Sequence, residues 1–126
     1  MSAYIVSENA VKLVAIYAAT AHAERMPDLD KATELANLLY VENYVSVNHR
    51  YNENDVAPTL TVKPEDVMRL RKYKLPQIIM TAHSINYQSC EHDGWKESRA
   101  RELLREVYDR ASFALASELG AEWCIV

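Results

Sequence analysis

Glycine is nearly missing from this chain, with two in 126 residues. A phosphate-cradling loop draws on several glycines, and small β-sandwiches and barrels need them at their turns, so both are excluded. Cysteine is as scarce: Cys90 and Cys124 are too few for a disulfide scaffold and lack CxxC spacing. No apolar run approaches the roughly 18 residues of a membrane span, and no signal-peptide pattern opens the chain. A reduced, cytoplasmic setting without membrane contact is the expectation. Nor is there an excess of positive charge. Fourteen Lys and Arg against 18 Asp and Glu leave a net charge of −4, which makes nucleic acid a poor whole-surface partner.

What is present favours helix. The Ala, Leu, Glu and Arg content suits an all-α bundle of about five helices, and the length suits one domain over residues 1–126. A short strand pairing at the termini is the most β-structure expected. Ser7 is a good N-cap for a first helix from Glu8 to about Glu24, whose stretch from Ala10 to Ala21 has Lys12 as its one charge. Such a helix is either central or covered at an oligomer interface, and the second case makes a homodimer. After Met26-Pro27, Asp28 or Asp30 caps a second helix reaching about Asn48 or Tyr51, with Leu35, Leu38, Val41 and Val45 facing inward.

Residues 51–62 are irregular, although Thr59 to Val62 is β-friendly and suits a short strand beside Tyr4–Val6 or Trp123–Val126. Pro64 opens a third helix, Pro76 a fourth, and Gly94 stops the structure that follows the fourth. The last helix is expected from Trp95 to Leu119, with Leu103, Leu104, Val107, Ala111 and Leu115 inward. Glu97–Arg101, Arg105–Asp109 and Glu106–Arg110 are its i,i+4 pairs, and Gly120 ends it.

The stretch Ile85 to Trp95 concentrates the least replaceable residues. On the fourth helix Ile78, Ala82, Ile85 and Ser89 form one stripe, while Ile79, His83, Asn86 and Cys90 form another that turns polar. The second helix ends its inner stripe in the same way, at Asn48, followed by His49, Arg50 and Tyr51. Buried amides need partners, so Asn48, Tyr51, Asn86, Tyr87 and Glu91 are expected to form one polar network joining the two helices.

Ala3-Tyr4-Ile5-Val6-Ser7, Val45-Ser46-Val47-Asn48-His49-Arg50-Tyr51, Asn86-Tyr87-Gln88-Ser89-Cys90-Glu91 and Ala121-Glu122-Trp123 together resemble a family of small uncharacterised proteins encoded by phages, prophages and other bacterial mobile elements. The resemblance spans most of the chain in the same order. It implies an accessory role, such as anti-CRISPR-like inhibition of host defence, and carries over no activity, cofactor or catalytic residue.

Enzymatic readings are weaker on chemical grounds. Cys90 near a helix C-terminus meets a dipole that opposes a thiolate; His83 is two turns away, and His92 points elsewhere on a regular helix. No HxxxH, HExxH or CxxC spacing supports a metal site, so neither catalytic residue, metal nor cofactor is assigned. The basic cluster Arg69, Arg71, Lys72 and Lys74 reads first as a complement to a helix end and second as a phosphate site. Two functions remain. The first is a non-enzymatic inhibitor that binds a host protein through an acidic or aromatic surface. The alternative is a small-ligand binder or enzyme using Asn48, Arg50, Tyr51 and the Tyr87-to-His92 cluster, of which Asn86, Tyr87, Glu91 and His92 are the candidate contacts.

Overall fold

In a computed structural model of the protein, the described residues are 6–20, 27–47, 59–89 and 95–119, with the backbone alone described for 43–47. They form five α-helices: α1 Glu8–Ala19, α2 Leu29–Val47, α3 Pro64–Leu70, α4 Leu75–Ser89 and α5 Arg99–Leu119. A 3₁₀ turn, Trp95–Glu97, precedes α5, and no strand occurs among the described residues. The all-α bundle expected from composition is the fold.

Helix α1 is central and packs against each of the other four α-helices. Its side chains Val11, Leu13, Val14, Ala15 and Ile16 are buried. One chain therefore covers α1, and its apolar circumference needs no second copy to explain it. The helix starts as expected, with Ser7 Oγ accepting from Ala10 N–H at 3.2 Å. It stops at Ala19 rather than running to Glu24, because Thr20 turns extended. The freed carbonyls are taken up locally: Thr20 Oγ1 donates to Ile16 O at 2.6 Å, and Arg110 of α5 donates to Tyr17 O while lying over the Tyr17 ring. A cation at that end also suits the helix dipole.

Helix α2 is capped by Asp28, whose Oδ1 accepts from Asp30 N–H and Lys31 N–H. It turns a different stripe inward from the one its largest residues suggest. Ala32, Ala36 and Leu39 are fully buried, Leu35 and Leu38 are half-buried, and Val41 is exposed. The offset is one residue, roughly 100° around the helix. Small side chains at 32 and 36 let α2 approach α1 closely, and that contact outweighs burying the larger leucines completely.

The segment Thr59–Val62 is extended but pairs with no strand among the described residues. Its partners are side chains of α2. Asn37 Oδ1 accepts from Leu60 N–H and Asn37 Nδ2 donates to Leu60 O, both at 2.8 Å. Thr33 Oγ1 accepts from Val62 N–H at 3.0 Å. The amide thus offers the donor and acceptor that a neighbouring strand would have offered. Tyr4, Ile5 and Trp123–Val126, the strand partners expected from sequence, lie outside the described residues.

Asp66 ties α3 to α1. Its carboxylate accepts from Lys63 N–H, Arg69 and Lys12 at 2.9, 2.9 and 3.3 Å. Arg69 also donates to Asn9 of α1 at 2.9 Å. At the other end of the bundle, Ser98 breaks the continuous helix expected from Trp95. Its Oγ accepts from Arg101 N–H, and Glu42 of α2 accepts from Ala100 N–H at 3.0 Å, placing a carboxylate at the start of α5. In α5 Ala100, Leu104, Val107 and Ala111 are buried, whereas Leu103 and Leu115 are half-buried. The i,i+4 ion pairs expected on its wet face do not close: Arg101 donates to Lys96 O and Arg110 turns to Tyr17.

Two stability measurements check these joints. Asn37→Ala strands both backbone groups of Leu60 and is expected to lower unfolding free energy by about 2 kcal/mol in urea titration. For Asp66, burial pushes the pKa up, but the Lys63, Arg69 and Lys12 contacts outweigh it and hold the group below its ordinary value of 3.8. A depressed carboxyl adds stability that is present above its unfolded pKa and lost as pH falls through the folded one. Asp66→Asn should therefore be less stable than the parent by about 1 kcal/mol near neutral pH. The two Tm curves should converge as the pH falls below about 4.

Candidate functional site

Helix α4 presents three kinds of surface in turn. Ile78, Ala82, Ile85 and Ser89 are buried, as their spacing predicts. Next to them Ile79 and Asn86 are half-buried, and beyond those Met80, His83 and Tyr87 are exposed. Helix α5 runs alongside, and its residues 101, 105 and 108 share one stripe at 4,3 spacing facing this border. Between the two helices lies a groove of about 230 Å³, whose polar lining includes His83, Asn86, Arg101, Arg105 and Tyr108.

Three rings form a row along it. His83 stacks with Tyr87 at 6.5 Å between centroids and 27° between planes, and meets Tyr108 at 6.3 Å and 45°. These separations fall in the range of favourable aromatic pairs. Tyr87 is nonetheless 70% exposed and Tyr108 41% exposed, so the row is a surface feature. Of the two arginines, Arg101 has one nitrogen on Lys96 O at 2.9 Å. Arg105 is exposed and has no hydrogen bond or ion pair among the described residues.

Asn86 supports the groove from below. Its Oδ1 accepts from the indole N–H of Trp95 at 2.8 Å, and Trp95 is among the largest fully buried side chains. The need for a partner was legible from sequence, but the partner found is Trp95 of the 3₁₀ turn. Tyr87 departs further from the expected buried network: its exposure removes it from the interior. Gln88 Oε1 is buried with no partner among the described residues.

Other expected residues scatter. Asn48, Arg50, Tyr51, Glu91 and His92 lie outside the described residues, as do Cys90 and Cys124. The basic cluster divides. Arg69 is spent on Asp66 and Asn9, Lys72 lies 5.6 Å from the Tyr73 ring centroid, and Arg71 and Lys74 line a larger cleft of about 690 Å³ at the opposite end of α4. The rim of that cleft reaches Thr20, Pro27 and Glu118, which adjoin undescribed stretches, so no function is assigned to its volume. Among the described residues no three His, Cys, Asp or Glu side chains gather as a metal site. Sequence reasoning missed Arg101, Arg105 and Tyr108 as a group because the arginines were read as solvated i,i+4 partners. Their shared stripe was the available signal.

No protein-family model, curated protein or solved structure matches the chain. Its functional reading therefore rests on this geometry.

Asn86→Ala leaves the Trp95 N–H unpaired, and Trp95→Phe leaves Asn86 Oδ1 unpaired. Each is expected to destabilise by about 1 to 3 kcal/mol in chemical denaturation. A double variant whose loss is smaller than the two single losses added together would show that the residues act as one pair.

Proposed function

We propose that this is a non-enzymatic protein-binding domain, an accessory protein of a phage or other mobile element. It docks on a host protein through the α4–α5 face and thereby inhibits host machinery, with a defence system as the target class. The observation that carries the reading is the exposed ring row Tyr87–His83–Tyr108 beside Arg101 and Arg105. Tyrosine and arginine are the residues most enriched among those that dominate binding energy at protein interfaces. Met80, 70% exposed and two turns before Tyr87, extends the patch with an adaptable apolar side chain. A groove of about 230 Å³ is also below the roughly 300 Å³ at which small-molecule sites begin, but it suits one inserted side chain.

The test is affinity capture from bacterial lysate with the parent and with Tyr87→Ala/Tyr108→Ala, followed by titration of the purified captured protein. Both tyrosines are exposed, so the Tm of the double variant should stay within about 2 °C of the parent. Its affinity is expected to fall at least tenfold, about 1.4 kcal/mol or more. Undiminished affinity in the double variant would place the binding surface elsewhere.

A further inference from the structure

Resting on that docking reading, we propose that the α4–α5 groove is a carboxylate seat, so the partner presents an Asp or Glu side chain flanked by an aromatic or apolar residue. The chain is net acidic at −4, yet the charged and titratable side chains found lining this groove are Arg101, Arg105 and His83, with no carboxylate among the described residues there. The acids of α5 face another way. Glu102 and Glu106 line the opposite side of the helix, with Leu35 and Leu38 of α2. Locally, then, the groove is a small cationic site on an acidic molecule.

Its donors are available. Arg105 makes no bond among the described residues, and one Arg101 nitrogen is engaged by Lys96 O. That single anchor orients the Arg101 plane while leaving other N–H groups for an incoming anion. Guanidinium groups bind a carboxylate through paired N–H donors, and fixing one plane beforehand lowers the ordering cost. The Tyr108 and Tyr87 rings lie beside the arginines through His83. They supply a face for the residue next to the acid.

A nucleic-acid strand fits less well than a single carboxylate. Duplex DNA carries about one charge per 1.7 Å of its axis and calls for an extended cationic track. Here two arginines are followed on α5 by the exposed acids Glu102, Glu106 and Asp109, which repel a continuing polyanion.

The probe is 3-phenylpropionate, with 3-phenylpropionamide as the uncharged control and an eight-residue thymidine oligonucleotide as the polyanion. Each is titrated into isotopically labelled protein at constant ionic strength while the arginine Nε–H and tyrosine ring resonances are followed by NMR. The carboxylate is expected to shift Arg101, Arg105 and Tyr108 at millimolar concentration. Arg105→Gln, which breaks no bond of the described fold, is expected to weaken it about tenfold. Equal binding of the amide overturns the proposal, as does tighter binding of the oligonucleotide through the same arginines.

The two proposals fail separately. If Tyr87→Ala/Tyr108→Ala loses the captured protein while Arg105→Gln keeps full affinity, docking stands and the carboxylate seat falls. If Arg105→Gln loses phenylpropionate but neither variant weakens capture, the seat stands and its use in docking falls.

Discussion

The structure depends on covering one apolar helix. Between Ala10 and Ala21 the chain has a single charge, Lys12, and hydrophobic burial favours removing nearly every side of that segment from water. Four helices pack against α1, and each shows the consequence. Helix α2 turns its alanines rather than its leucines inward because close approach covers more of α1. Even Lys12 is accommodated, since Asp66 of α3 meets it at 3.3 Å where both side chains are largely buried.

Once the helices surround α1, their ends and connections need polar partners, and these come from other helices. Asn37 and Thr33 of α2 satisfy the backbone of the extended segment after residue 58. Glu42 of the same helix caps α5, while Arg110 of α5 finishes α1. Each such contact is worth only about 1 kcal/mol net. Their placement matters more than their sum, because leaving any one unmade would strand a backbone group in a partly buried setting.

The α4–α5 face follows from the same packing. Two helices whose buried stripes, Ala82–Ile85 and Leu104–Val107, meet in the core necessarily bring their flanking stripes together at the surface. On α4 that flank carries His83 and Asn86, and on α5 it carries Arg101, Arg105 and Tyr108. Asn86 and Trp95 hold the border from within. The resulting surface joins rigid, half-covered rings to uncommitted guanidinium groups, a combination suited to recognising another protein.

Several features follow from the sequence alone, for local reasons. Composition and the shortage of glycine point to helices, Ser7, Asp28 and Pro64 mark where three of them begin, and the Ile78–Ala82–Ile85–Ser89 stripe is buried as its period demands. These are properties of neighbours along the chain, set by capping, backbone freedom and the 3.6-residue turn. The stripe α2 buries, the early stop of α1 at Thr20, the side-chain pairing of Thr59–Val62 and the meeting of His83 with Arg105 and Tyr108 were decided only by tertiary structure. In each case two local solutions were of similar energy, and the choice fell to a contact with residues far away in sequence. Asn86 shows both levels at once: its period and polarity announced that it needed a partner, and only the path of the chain after α4 made that partner Trp95.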